Sequence, residues 1–265
     1  MTTALVLGGG GIVGVAWQLG LFDGLRTHGV DPGRADLVLG TSAGSMAGAL
    51  LLLGRTEILD RLESATAVLG GGDVTALLDA MAAGGDIGRL AIDAATMPED
   101  AYVALVADLV GAQWPDRFRC AGIDVVTGEL LVWQRDSGVP VASAVAASCA
   151  VPLMLPVVTV GGRRCMDGGM RDPLNAGLAT GHDHVVAVSC FPVTAAPPAM
   201  RAQQRAVERS LIDLRAAGVH VEVIEPDREF LAVSDNGGAL MDQARLRAAH
   251  RAGLRLGARS TPTLA

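Results

Sequence analysis

Gly8-Gly9-Gly10-Gly11-Ile12-Val13-Gly14 stands directly after the apolar run 4–7, and Gly40-Thr41-Ser42-Ala43-Gly44 directly after the apolar run 37–39. Each is a glycine-punctuated turn from a buried strand into a helix. Two such units in close succession make a βαβα beginning to a parallel sheet. The first turn offers backbone N–H groups with no side chains in the way, and the second puts a serine hydroxyl at the mouth of a helix. Together they read as an oxyanion hole and a nucleophile.

Working outward, residues 3–7 read as a strand and 14–28 as a helix with Trp17, Leu21 and Leu25 on one face, closed by Gly29. Strand 37–41 runs into a helix over 43–53. Residues 55–114 are rich in Ala and Leu, show no clear strand, and are broken at Gly70-Gly71-Gly72 and Gly84-Gly85. One helix in this stretch begins at Pro98, with Glu99 and Asp100 in its first turn, and ends by Gly111. The stretch reads as a helical insertion able to cover a site. Beyond it, 117–126 and 129–134 flank Thr127-Gly128 as a β-hairpin. A helix over 140–148 follows, then an extended stretch 157–160, a Gly161-Gly162 turn and a short strand leading to Asp167. Residues 184–190 and 219–224 read as strands, 200–217 as a helix closed by Gly218, and 239–252 as a final helix with Met241, Ala244 and Ala248 inward.

The chain of 265 residues fits one large α/β domain, 1–265, with no stretch resembling a linker. Half of its residues are hydrophobic and only 18% are charged, as expected of a sheet buried on both faces. A net charge of −7 argues against nucleic acid as the main partner. Every basic residue is arginine, so a lysine Schiff base and a Walker-type phosphate loop are both excluded. Cys120, Cys149, Cys165 and Cys190 are widely spaced in apolar surroundings and read as buried free thiols of a reducing compartment. The first residues lack the positive region of a signal peptide, and the long uncharged stretches carry prolines. The expectation is a soluble, cytoplasmic protein.

Ser42 is the centre of a G-x-S-x-G pentapeptide in the context that a nucleophile demands, with a strand before it and a helix after it. Gly9-x-Gly11-x-x-Gly14 also satisfies the dinucleotide fingerprint, so a nucleotide-binding oxidoreductase is the rival reading. That reading wants an acidic residue at the end of the second strand, where this chain has Gly40-Thr41-Ser42. None of His28, His182, His184, His220 and His250 is in a setting that marks it as a base. His182-x-His184 resembles a metal pair only by spacing and reads more simply as a solvated loop entering a strand. Among carboxylates, Asp167 is the best placed, at a strand end before Gly168-Gly169. Taken alone, Asp-Gly-Gly is a turn. An aspartate near pKa ~4 in water also needs partial desolvation to serve as a base.

The ordered set of motifs resembles the patatin-like phospholipase family. Gly9-Gly10-Gly11-Ile12-Val13-Gly14 looks like its glycine-rich oxyanion motif, Gly40-Thr41-Ser42-Ala43-Gly44 its nucleophile elbow, and Asp167-Gly168-Gly169 its Asp-Gly-Gly/Ala element. Ala147-Ser148-Cys149-Ala150-Val151-Pro152 looks like the stretch preceding the family's aspartate. The resemblance implies a three-layer α/β/α fold with a mainly parallel central sheet, the 55–114 insertion serving as a possible lid. It implies a Ser42–Asp167 dyad, an oxyanion hole at Gly9, Gly10 and Gly11, and supporting roles for Gly14, Gly40, Gly44, Gly168 and Gly169. The implied substrates are lipid or small esters, with transient contact at a membrane surface; no metal or organic cofactor is implied. Two positions depart from the family. Val13 stands where many members carry Arg or Lys, and Asp172 where the family often has Asn, adding a negative charge near the site. A catalytically silent scaffold is therefore a third reading.

Overall fold

The computed structural model describes residues 1–69, 74–194 and 198–264. β1 (Thr3–Leu7) leads into α1 (Gly11–Arg26), and β2 (Leu37–Thr41) into α2 (Ala43–Leu52). Four helices follow with no described strand between them: α3 (Leu59–Leu69), α4 (Thr75–Ala82), α5 (Ile87–Asp93) and α6 (Glu99–Val110). The Gly84 break is a left-handed residue (φ +69°) between α4 and α5, and Asp86 caps α5 through the Arg89 N–H. The Gly70–Gly72 break lies outside the described residues. β3 (Phe118–Asp124) and β4 (Leu130–Trp133) form the expected hairpin, and α7 (Val141–Ser148) precedes a second hairpin of β5 (Val158–Val160) and β6 (Arg163–Asp167). The chain continues with β7 (His184–Val188), α8 (Arg201–Ala216), β8 (His220–Ile224), α9 (Arg228–Val233) and α10 (Leu246–Gly257).

Among the described residues the eight strands form one sheet in the order β5-β6-β3-β2-β1-β7-β8, with β4 on β3. The run β3-β2-β1-β7-β8 is parallel, and β4, β5 and β6 are added antiparallel at one end. α1, α2, α7 and α10 cover one face over a large core that includes Leu5, Leu7, Val38 and Val186. α8 and the turn at Ala176–Ala179 cover the other, over Ala4, Val6, Leu39 and Val185. The fold is thus three-layered α/β/α, with a thick helical layer on one face and a thin one on the other.

α1 and α10 cross at backbone contact. A Cβ on Gly20 would lie 2.0 Å from the His250 carbonyl oxygen, and one on Gly253 2.0 Å from that of Trp17. Phe230 of α9 stacks on Trp17 with ring centroids 4.7 Å apart. This packing anchors the helix whose N-terminus forms the glycine loop.

Two element starts differ from the sequence reading by three residues or more. α1 begins at Gly11, inside the glycine run, because the loop needs only Gly8 to Gly10 to turn. The final helix begins at Leu246 and buries Leu246, Ala249, Ala252 and Gly253, while Ala244 is exposed outside it. An Asp242-capped turn interrupts the helical pattern expected from 239, and left-handed Asp235, Asn236 and Gly237 lie just before it.

Candidate active site

Ser42 joins β2 to α2 with φ 53° and ψ −122°, a conformation that a residue with a side chain rarely adopts. The turn closes because two neighbours have no side chains. A Cβ on Gly40 would meet the Ser45 Cα at 2.4 Å, and one on Gly44 the Leu7 carbonyl oxygen at 2.0 Å. The Ser42 N–H donates to Ser148 Oγ (3.0 Å), which itself donates to the Ala121 carbonyl (2.6 Å). The Ser42 carbonyl accepts from Ser45 Oγ (2.7 Å) and Cys149 Sγ (3.0 Å). These bonds hold the backbone in its strained turn and leave the side chain free to face the cavity. Burial pushes the Cys149 thiol up to about 12, so it acts here as a neutral donor. The sequence reading gave Ser45 and Ser148 no role and Cys149 only that of a buried thiol; Ser148 and Cys149 lie in the stretch quoted for the family resemblance, which carries no local sign of their bonds to Ser42.

The topology explains how Asp167 reaches Ser42. β2 runs parallel to β3 and ends with Thr41 opposite Ala121, whereas β6 runs antiparallel to β3 and ends with Asp167 opposite Gly122. β4 pairs with both of these stretches of β3, so β2 and β6 share the opposite edge and abut end to end. Adjacent β3 residues are about 3.8 Å apart. The ends of two strands far apart in sequence therefore meet, with Ser42 in the turn after β2 and Asp167 as the last residue of β6. Gly168 makes the junction possible, since a Cβ there would lie 2.6 Å from the Ala121 carbonyl oxygen.

Asp167 is 2% exposed and Ser42 6% exposed. Burial pushes the Asp167 pKa up to about 6, against hydrogen bonds from the Ser42 hydroxyl and the Gly169 N–H that lower it. The Gly169 N–H lies 2.7 Å from Oδ1. A Cβ at Gly169 would press on that oxygen at 3.0 Å and push the carboxylate aside by a few tenths of an ångström.

The glycine loop divides its labour differently from the sequence expectation. The Gly9 N–H is engaged by the Pro173 carbonyl at 2.9 Å, so Gly9 is not a free donor. Its contribution is space: a Cβ there would crowd Ser42 Cβ at 3.3 Å. Gly10 and Gly11 open α1, and their N–H groups meet no acceptor among the described residues. Gly11 adopts φ +59° beneath the Leu240 carbonyl, while Gly10 and Gly14 pack on Cys190 Sγ. The positive ends of α1 and α2 both converge on the Ser42 region.

Two apolar cavities open from Ser42. The larger, about 270 Å³, also touches Gly9, Gly10, Gly11, Asp167 and Gly169, and is walled by Leu77, Leu78 and Met81 of α4 with Met154, Met170 and Met241. The smaller, about 60 Å³, runs between α2, α3 and α6, past Met46, Leu62, Tyr102 and Val106. No histidine lines either cavity. His182 Nδ1 lies 3.0 Å from the Ala179 carbonyl, and His250, partly buried rather than exposed, lies 3.0 Å from Asp23 Oδ2. His184 is fully buried at the start of β7, where the sequence reading begins that strand. The extra charge anticipated at Asp172 is directed elsewhere: its carboxylate accepts from the Leu174 N–H and Ser210 Oγ on the α8 side, and it lines neither cavity. Val13 is buried in the core. The four cysteines are free, with Cys149 half-buried and the others buried.

The model of the patatin-like phospholipase family matches residues 5–180. The chain belongs to that family. An uncharacterized NTE family protein of Mycobacterium tuberculosis is 26% identical over 98% of this chain and 40% of its own length, as is a counterpart in Mycobacterium bovis. A second such protein of Mycobacterium tuberculosis is 30% identical over 64% of this chain and 43% of its own length. The chain thus spans about two fifths of the length of these curated relatives. The solved structure of VipD from Legionella pneumophila aligns over 93% of this chain and 67% of its own, with a TM-score of 0.43 and 14% identity. No described helix is long and apolar enough to cross a membrane.

Proposed function

We propose that this chain is a serine acyl hydrolase of lipid esters that works through a Ser42–Asp167 dyad. Ser42 Oγ attacks the ester carbonyl while its proton passes to Asp167. The tetrahedral oxyanion is held by the N–H groups of Gly10 and Gly11, which are free and near the positive ends of two helices. Collapse breaks the bond to the alcohol, which leaves with the proton from Asp167, and an acyl-Ser42 ester remains. A water molecule then attacks that ester, Asp167 takes its proton, and Ser42 regains a hydrogen as the acid departs.

The observation that carries this reading is the end-to-end meeting of β2 and β6 on one edge of β3, at the floor of an apolar cavity. A pKa near 6 supports Asp167 as the base, because it is higher than that of a solvated aspartate and still leaves the group ionised at neutral pH. The walls of Leu, Met and Val suit an acyl chain, and among the described residues the charged side chain on them is the Asp167 carboxylate, which would repel a nucleotide phosphate. A lipid aggregate would deliver such a substrate by transient contact at its surface.

The test is hydrolysis of short-chain p-nitrophenyl esters and of phospholipid vesicles by wild type, Ser42→Ala and Asp167→Asn. Turnover by wild type alone is the expected result. Inertness of wild type towards both substrates would move the reading to a silent scaffold.

A further inference from the structure

At the opposite end of the sheet from Ser42, three potential ligands converge. His184 opens β7 and is paired in register with His220, which opens β8. Glu222 lies two residues along β8 and so shares the face of His220. The two imidazole rings have centroids 4.8 Å apart. His184 Nε2 lies 3.0 Å and His220 Nε2 3.7 Å from Glu222 Oε1, and the three ligand atoms all fall within 4.8 Å of one another.

We propose that His184, His220 and Glu222 bind one late first-row divalent cation, zinc being the best match. Three arguments carry this. Two imidazoles and a carboxylate are the donor set that zinc takes where three protein groups leave a fourth position for water. Ligands about 2.0–2.1 Å from a tetrahedral ion stand roughly 3.4 Å apart, which lies within the observed range of separations. His184 is completely buried, yet neither ring nitrogen makes an aligned hydrogen bond; the Glu222 oxygen is near enough to Nε2 but off its axis. A buried imidazole ordinarily has its nitrogens satisfied, and an ion shared with Glu222 would satisfy one. The His220 side chain is 65% exposed and gives an ion its entrance.

β8 is the edge of the sheet, and Glu222 also accepts the Thr263 N–H at 3.3 Å. An ion here would clip the edge strand to β7 and, through Glu222, hold the last described residues of the chain. The adjacent His182 takes no part. The three ligands come from neighbouring strands, which spacing within one strand cannot reveal.

Untagged full chain, stripped with a chelator and dialysed, is titrated with ZnCl2 by calorimetry and with CoCl2 by visible spectroscopy, with MgCl2 as control. Wild type is expected to bind one zinc ion, to show the intense visible bands of tetrahedral cobalt, to gain thermal stability and to ignore magnesium. His220→Ala, an exposed position that leaves folding intact, and Glu222→Gln are each expected to weaken zinc by at least about 10-fold and to abolish the thermal shift. Fluorophosphonate labelling of Ser42 should be the same in these variants, with or without zinc, which separates this site from the hydrolase reading. Absence of saturable zinc binding by wild type would overturn the proposal and leave His184 and Glu222 as a plain packing contact. Equal binding by wild type and both variants would overturn it as well, pointing to the cysteines.

Discussion

The floor and the roof of the cavity are built from opposite materials. On the floor, positions are fixed by backbone: Gly40, Gly44 and Gly168 have no room for a Cβ, Ser42 is tied at both its N–H and its carbonyl, and Asp167 ends a strand whose register is set by β3. The roof, α3, α4 and α6, touches the two cavities through interchangeable apolar side chains such as Leu77, Leu78 and Met81 at the larger and Leu62 and Leu105 at the smaller. Under the proposed mechanism, chemistry would thus be written in places where no other residue fits, and selectivity in places where many would. Substitutions on the floor should abolish the reaction or the fold, and substitutions on the roof should only redistribute substrates.

The largest expected effect is Ser42→Ala, which should lower ester hydrolysis by at least about 10³-fold in kcat/KM. Asp167→Asn should cost about 10²–10⁴-fold, the range of a general base. The same substitution should stabilise the protein. The folded-state pKa of Asp167 is raised to about 6, so wild type loses stability as pH climbs from about 4 through 6 and the buried carboxyl ionises. Removing that charge should add roughly 2–3 kcal/mol at pH 8 and nothing below pH 4, as read by urea unfolding at the two pH values. A variant that is inactive and less stable at pH 8 would break the link between burial and basicity.

Gly44→Ala sharpens the contrast from the side of packing. Its new methyl would collide with the Leu7 carbonyl between β1 and α2, and a loss of about 3 kcal/mol or more is expected in thermal or chemical unfolding. The activity of wild type should rise with pH along an acid limb centred near 6, and this limb should vanish from any residual rate of Asp167→Asn. On the roof, Leu77→Trp should leave labelling of Ser42 nearly unchanged. The same variant should shift the ratio of long-chain to short-chain ester hydrolysis by about 10-fold towards the short, since a few methylene contacts are at stake. A roof variant that silences Ser42 would show that α4 positions the nucleophile.

The same contrast explains what could be read in the sequence. Glycine loops, the serine turn and the acid before Gly168-Gly169 are legible because steric exclusion leaves one residue type at each place. Strands β1, β2 and β7 are evident from their apolar runs and β3 from its hairpin; the βαβα opening gives the parallel start of the sheet, and the three-layer fold is what the family resemblance implies. The junction of β2 with β6 was not legible, because it depends on two strands sharing one edge of β3. Hydrogen-bond direction was equally hidden, which is why Gly9 looked like a donor although its N–H faces Pro173. In the last part of the chain, alanines spaced as in a helix conceal the turns at 239–245, where side-chain capping by Asp242 outweighs helix propensity. His184 shows the same limit, for its neighbours lie on the next strand, beyond the reach of local spacing.

Intact-protein mass spectrometry and peptide mapping after fluorophosphonate treatment, followed in time across pH 4–9, test the dyad most directly. A single adduct on Ser42 is expected, forming at a rate that rises through pH about 6 to a plateau, absent from Ser42→Ala and slowed without the acid limb in Asp167→Asn. Modification at another residue, or an Asp167→Asn protein that labels at the wild-type rate with the same pH dependence, would contradict it.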